Sequence, residues 1–232
     1  MSKAAIFAAA RELDLQATKR LLMEKPELLA VVDRKRENQN LLHLACAASP
    51  ERLGKSQAAQ TRYVRFLLEK GLDIDTPVGR DACTPLFFAV ARARNRLLVK
   101  ELISRGASVS AVPGGGLFAA AWWNDVATLK LLIRSGAKID VVVGITPFLA
   151  SWCWRKFDAA KALVLSGANA DFQDSRGKTA LHHGVEKNFD PALLSWLVKH
   201  GASADIEDRA GVSARQRASR KRDKRYLKAL AP

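Results

Sequence analysis

At 232 residues, the chain is long enough for one large domain, two small domains or an array of repeats. Its 48% of apolar and 26% of charged residues are typical of a globular protein and exclude disorder over the whole length. Lys and Arg outnumber Asp and Glu by 38 to 23, which gives a formal net charge of +15. No stretch reaches the roughly 18 apolar residues of a membrane span, so we expect no membrane partner.

The cysteines Cys46, Cys83 and Cys153 are far apart and odd in number. Because no Cys-x-x-Cys or Cys/His spacing is present, they indicate neither a disulfide framework nor a zinc site. We interpret them as small buried hydrophobic residues in a reducing compartment, which predicts a cytoplasmic protein. No metal and no cofactor is expected.

The first predicted element is a helical unit over residues 1–33, which begins with Ala4-Ala5-Ile6-Phe7. A second helical start, NLLHLAC, follows at 40–46. About ten extra residues come after it, and they predict an insertion near 49–60, at the bend between two helices. Insertions in surface loops cost little stability, so the insertion is compatible with a regular fold.

From residue 69 onwards, five segments end in the same way. Each is a charged helix with a doubled apolar pair, and it stops at a glycine that a polar stretch follows. Glycine favours such a stop because it adopts the left-handed conformation without a Cβ penalty. The glycines lie 35, 30, 31 and 34 residues apart, at Gly71, Gly106, Gly136, Gly167 and Gly201.

A second helical start follows each polar stretch, at 83–91, 115–121, 145–151 and 178–184. Three of these starts carry a threonine before Pro or Ala: Thr84-Pro85, Thr146-Pro147 and Thr179-Ala180. Threonine accepts a hydrogen bond from a backbone N–H as an N-cap, and proline fits the first helical turn. The repeating unit is therefore a turn, a short helix, a bend, a longer helix and a glycine, at about 33 residues.

This unit resembles the ankyrin repeat, whose Thr-Pro-Leu-His signature is matched at Thr84-Pro85-Leu86, Thr146-Pro147-Phe148 and Thr179-Ala180-Leu181-His182. The resemblance covers Lys3 to about Ala218 and implies an all-α helical solenoid of six to seven helix-turn-helix repeats with short finger loops. It further implies a single domain over 1–232. An N-terminal capping unit would occupy 1–33, central repeats 34–208, and a basic C-terminal capping helix or tail 209–232. His43 and His182 fall at the signature histidine, which in the family is structural.

Motifs of catalysis are missing from the sequence. It contains no Gly-x-Ser-x-Gly, no phosphate loop and no His-Glu-x-x-His. We therefore predict a non-enzymatic and monomeric protein that binds another protein through the concave face of the solenoid.

The family resemblance also assigns the residues that line this face. In the family, the two positions that follow a pair of small residues in each first helix vary between proteins and face the groove. Trp122, Trp123 and Trp154 fall at such positions, and Trp152 lies beside them at a normally small position. Clustered tryptophans with arginines nearby have the composition of binding hot spots, although packing against one another would also account for them. The predicted partner-binding residues are Trp122, Trp123, Trp152 and Trp154, with a basic rim of Arg11, Arg92, Arg94, Arg96 and Lys187.

Residues 209–232, the basic segment, contain nine Lys or Arg and one acidic residue, Asp223. Clustered cations attract phosphates, so binding of nucleic acid or an acidic partner through this segment is the alternative function. Tyr226 alone could stack on a base, which argues against specific readout. A solvated capping helix, with Arg217, Arg220, Lys221 and Lys224 on one exposed face, accounts for the segment equally well.

Overall fold

The computed structural model describes residues 2–231 and is helical. Within that range no β-strand forms, and the loops between repeats carry isolated β-bridges such as Val78 to Cys83 and Glu207 to Ser213. The predicted all-α fold class is confirmed. Two compact units are present, one of residues 2–119 and 134–137 and the other of residues 120–133 and 138–231. The predicted single domain stays a prediction.

The first unit is a stack of helical pairs. The first helices of the pairs pack on one another, as do the second helices α4 and α6. A π-helical turn over Ala89–Ala93 extends α5 to its bend. The helices are α1 Lys3–Arg11, α2 Leu15–Glu24, α3 Leu41–Ala47, α4 Gln57–Glu69, α5 Pro85–Phe88 and α6 Arg96–Ser104, and α7 Gly115–Trp122 begins in this unit.

The second unit repeats the pattern. Helix α9 packs on α10 and α11, while α13 and α14 pack on α11 and α12 respectively. Tyr226 and Leu230 of the basic segment are buried, so this segment is folded onto the unit. The helices are α8 Val126–Arg134, α9 Pro147–Cys153, α10 Phe157–Leu165, α11 Ala180–Glu186, α12 Pro191–Lys199, α13 Ala214–Ser219 and α14 Arg225–Ala229.

The glycine stops have one backbone conformation. Gly71, Gly106, Gly136, Gly167 and Gly201 have φ between 93° and 98°, which L-residues rarely adopt. Each ends a second helix, so the loop that follows leaves every repeat in the same direction. The bend within a repeat also uses a left-handed residue, and there it is seldom glycine: φ is 52° at Arg94, 55° at Asn124 and 61° at Arg155.

The predicted insertion forms a short 3₁₀ turn, Glu51–Leu53, between α3 and α4. Lys55 ties it to the preceding repeat, because its Nζ donates to the carbonyl oxygens of Glu12 at 2.6 Å and Leu13 at 3.0 Å. The insertion is thus anchored against the bend between α1 and α2.

The prediction that Trp152 binds a partner is wrong, because its side chain is fully buried and cannot contact one. Its Nε1 donates to the Ala180 carbonyl oxygen at 2.7 Å, and its ring packs within 5.7 Å of the Phe157 and Phe189 rings. Gly184 of the next repeat lies nearby, where an added Cβ would be at a contact distance of 3.6 Å from the indole and would collide with Leu194 at 2.5 Å. Trp152 is a core residue of the second unit.

Candidate partner-binding surface

Trp122, Trp123 and Trp154, the tryptophan patch, remain on the surface of the second unit. Their exposed fractions are 50%, 45% and 38%. The rings of Trp122 and Trp154 make an edge-to-face contact, with centroids 5.1 Å apart and planes at 82°. The two rings therefore cover each other in part, and about half of each remains open to solvent. Partial self-packing and exposure coexist at this surface.

The patch lies where first helices end. Trp122 is the last residue of α7, Trp123 follows it, and Trp154 is the C-cap of α9. The next residue in each chain segment, Asn124 or Arg155, turns the backbone with a positive φ. Asn124 joins the two bends: its Oδ1 accepts the Ala159 N–H at 2.9 Å, and its Nδ2 donates to Asp158 at 3.0 Å. These bonds hold the ends of two neighbouring repeats in register beneath the tryptophans.

Cations adjoin the tryptophan patch. The Lys156 Nζ lies 5.9 Å from the Trp122 ring centroid, at the outer range of a cation–π contact. Lys187, a predicted rim residue, is exposed and reaches the Cys153 carbonyl oxygen at 3.4 Å. Arg155 donates to the Lys187 carbonyl oxygen at 3.1 Å, and its guanidinium lies 4.6 Å over the Phe189 ring. Sequence reasoning did not single out Lys156 and Arg155, although both directly follow Trp154.

Cys153 lies beside this surface without nucleophilic character. Burial raises the pKa of its thiol, Lys187 lowers it in part, and the net shift is upward. Because the thiolate is the reactive form, a raised pKa disfavours covalent chemistry at this cysteine.

The other predicted rim residues belong to the first unit. Arg92, Arg94 and Arg96 are exposed around the π-helical turn and the start of α6. Arg11 is half-buried at the end of α1, and its Nη1 lies 3.4 Å from Asp33. Their role as a rim of the tryptophan patch stays a prediction.

The signature residues hold the repeats together. The threonine hydroxyl groups of Thr84 and Thr146 accept N–H bonds three residues on, at 3.4 and 3.3 Å. Pro85 and Pro147 occupy the first helical turns. His182 accepts the Thr179 N–H at Nδ1 and contacts the Val212 carbonyl oxygen of the next loop at 3.0 Å through Nε2.

His43 makes the equivalent bond in the first unit, from Nε2 to the Thr76 carbonyl oxygen at 2.8 Å. Burial lowers the pKa of both His43 and His182, so both rings are neutral at pH 7. With Nδ1 accepting a backbone N–H, the Nε2–H donates to the carbonyl of the next loop. Each histidine therefore caps its own helix through Nδ1 and bonds the next loop through Nε2.

The comparisons with known proteins agree with this geometry. Residues 117–208 match the family model for ankyrin repeats, in three copies. The ankyrin repeat domain of Bcl-3, described as a unique member of the IkappaB protein family, aligns over 97% of both chains with a TM-score of 0.77 and 22% identity. Residues 117–208 match ankyrin repeats, and the described chain has the fold of ankyrin-repeat domains. The human ASB11 ankyrin repeat domain is also similar, with a TM-score of 0.73, 22% identity and coverage of 97% of this chain and 95% of that domain.

Curated relatives match smaller parts of this chain, and they are much longer proteins. The phosphocholine transferase AnkX of Legionella pneumophila is 26% identical over 145 residues, which are 59% of this chain and 15% of AnkX. A Rickettsia felis protein named for its ankyrin repeats is 24% identical over 85 residues, or 37% of this chain. The chain spans 22% of the length of that protein. The matched part of AnkX is a small fraction of an enzyme, so its activity does not transfer.

Ankyrin repeats are generally protein–protein interaction modules, and the fold is typically a non-enzymatic scaffold. Among residues 2–231, no three His, Cys, Asp or Glu side chains are grouped to hold a metal ion. No helix in that range is long and apolar enough to cross a membrane.

The basic segment is largely engaged within the protein. Arg215 pairs with Asp205 at 2.6 Å, and Arg217 pairs with Glu186 at 2.8 Å and with Asp208. Lys221 lies 4.7 Å over the Tyr226 ring. Arg217 is half-buried, so it does not belong to the exposed face expected of this segment, where Arg220 and Lys224 do lie in solvent. Tyr226, the one aromatic residue of the segment, is buried and unavailable for base stacking.

Proposed function

We propose that this protein binds a partner protein through the tryptophan patch and the first-helix ends that carry it. The carrying observation is that three neighbouring tryptophans stay 38–50% exposed at the positions that bend away from the stack. Exposed large aromatic groups on a rigid scaffold supply much contact area at a low cost in conformational entropy, and they dominate binding hot spots.

The charges beside the patch favour an acidic partner surface. Lys156 adjoins Trp122, and Lys187 adjoins Cys153. The nearby carboxylate of Asp158 accepts a hydrogen bond from Asn124. A partner that buries an apolar group among the tryptophans and sets carboxylates beside these lysines would satisfy both features. Arg11, Arg92, Arg94 and Arg96 are proposed as additional rim contacts.

The proposed setting is the cytoplasm, since reduced thiols are typical there and Cys46, Cys83 and Cys153 are free.

The test is capture of a partner by the wild-type protein and by Trp123→Ala. Loss of a hot-spot tryptophan weakens binding by about thirtyfold or more, at roughly 2 kcal/mol. The melting temperature should fall by no more than about 6 °C, because 45% of the Trp123 side chain already lies in solvent. Leu165→Ala, at a 65% exposed position of the same unit, is the matched control and should capture the partner normally.

Two outcomes would contradict the proposal. If Trp123→Ala loses several kcal/mol of stability, the ring is a packing residue. If capture survives in Trp123→Ala but fails when Arg220, Arg222 and Lys224 are changed to Gln, the basic segment is the binding site instead. A steep fall of binding with salt would then identify nucleic acid or another polyanion.

A further inference from the structure

A cavity that is remote in sequence from the tryptophan patch lies at the surface of the first unit. An open cavity of about 520 Å³ is lined by helix α2, the 3₁₀ turn Pro26–Ala30 and the C-terminal end of α4. This volume is within the range of small-molecule sites in proteins, roughly 300–1,000 Å³. The cavity is referred to below as the outer pocket.

The walls of the outer pocket are apolar. Met23 is 85% exposed and offers a large hydrophobic side chain at the open side of this cavity. Methionine is flexible and polarizable, and it adapts to irregular apolar ligands. The apolar lining residues are Leu22, Met23, Pro26, Leu29 and Phe66.

The charged lining is positive. Lys19 and Lys70 are the charged residues that line the outer pocket, and no carboxylate lines it. Both ammonium groups approach the same ring, with Nζ atoms 5.5 and 5.7 Å from the Phe66 centroid. Two cations at one aromatic ring repel each other, and an anion placed between them would be attracted by both.

We propose that the outer pocket binds a small amphipathic anion, an aliphatic or aromatic carboxylate whose apolar body lies on Met23 and Phe66. The carboxylate would accept charge-assisted hydrogen bonds from Lys19 and Lys70. The arrangement of an apolar cavity with a few convergent polar groups is the usual architecture of such a site. The proposal is independent of the tryptophan patch, which belongs to the other unit.

Decanoate is the probe, used below its micelle concentration. The sequence has two methionines, so methyl-labelled methionine gives a simple NMR spectrum in which Met23 is assigned by its loss in Met23→Leu. The Met23 methyl signal should shift saturably, with an apparent Kd on the order of 1 mM or tighter for a ligand of this size. Decyltrimethylammonium has the same chain length and the opposite charge, and it should give no saturable shift.

The matched variants separate specific binding from general charge. Lys19→Gln/Lys70→Gln should raise the apparent Kd for decanoate by about tenfold or more, because it removes two charge-assisted contacts. Lys130→Gln/Lys138→Gln changes the net charge equally at exposed positions of the other unit and should bind decanoate like wild type. The proposal is overturned if decanoate gives no saturable shift. Equal binding of the cationic probe, or no effect of Lys19→Gln/Lys70→Gln, would also overturn it and show only a sticky apolar surface.

Discussion

Gly177 shows how one residue sets the spacing of neighbouring repeats. Its φ is 74°, and an added Cβ would lie 2.7 Å from the Arg209 backbone nitrogen and 3.1 Å from backbone atoms of Asp208. The Arg209 N–H donates to the Arg176 carbonyl oxygen at 3.0 Å, directly beside this glycine. Two loops from successive repeats therefore touch backbone to backbone, which leaves no room for a side chain.

Gly177→Ala should therefore destabilise the protein more than its backbone conformation alone requires. The left-handed conformation costs an alanine about 1–2 kcal/mol, and the clash with rigid backbone adds about 1–3 kcal/mol. Gly201→Ala is the control, since φ is 98° there and nothing lies within 4 Å of the added Cβ. Urea unfolding measures both variants. Equal losses in the two would refute the close approach at Gly177.

At the scale of elements, Trp152 packs across the boundary between two repeats. The tryptophan in α9 lies against the glycine in α11, and Phe148, Phe157 and Phe189 complete its surroundings. The close approach at Gly184 itself is to Leu194 of α12, since an added Cβ would lie 2.5 Å from the Leu194 Cδ2 atom but at an ordinary contact distance of 3.6 Å from the indole.

Trp152→Ala should lower the free energy of unfolding by about 3–5 kcal/mol, because it leaves a large cavity and loses the hydrogen bond from Nε1 to the Ala180 carbonyl oxygen. Trp123→Ala in the same unit should cost less, on the order of 2 kcal/mol, because 45% of the Trp123 side chain already lies in solvent. Denaturant midpoints in urea measure the difference. Similar losses in both variants would mean that the burial assigned to Trp152 and Trp123 is wrong.

The two tryptophans also show what the sequence could and could not predict. Position within the repeat correctly placed Trp122, Trp123 and Trp154 at the ends of first helices, because the glycine stops and threonine caps fix the phase of each repeat. The burial of Trp152 depends on which residue of the next repeat faces it. The repeat period alone does not show which residues of neighbouring repeats face each other, so the burial of Trp152 was not predicted.

The surroundings of the tryptophan patch were predictable only in part. Lys187 was identified from its groove position, whereas Lys156 follows a left-handed bend at Arg155 that reorients the chain. Left-handed Arg94 and Arg155 are not signalled by residue type, whereas Asn124 is of a type that adopts this conformation more often than most non-glycine residues. The outer pocket was likewise invisible in the sequence, because Lys19 and Lys70 are about fifty residues apart and come together only at the Phe66 ring of the folded unit.

At the scale of the whole molecule, the two units share one pH-sensitive device. His43 in the first unit and His182 in the second each join neighbouring loops through a neutral ring. Burial is the main cause that lowers the pKa of both below the ordinary value of 6.5. Neither ring can bind a proton without breaking the hydrogen bond that its Nδ1 accepts from the backbone N–H of its own N-cap residue.

A lowered histidine pKa makes the unfolded chain bind more protons than the folded chain below pH 6.5, so the free energy of unfolding falls as the pH falls. The melting temperature should therefore drop between pH 7.5 and pH 5.5. Carboxylates contribute little in this window, since their ordinary pKa values are near 4 and the Arg215 hydrogen bond lowers the pKa of Asp205 further. His43→Gln/His182→Gln should be less stable at pH 7.5 but should show a flatter dependence on pH. A wild-type melting temperature that is constant or rises towards pH 5.5, or an unchanged slope in the double variant, would exclude the two histidines as the origin.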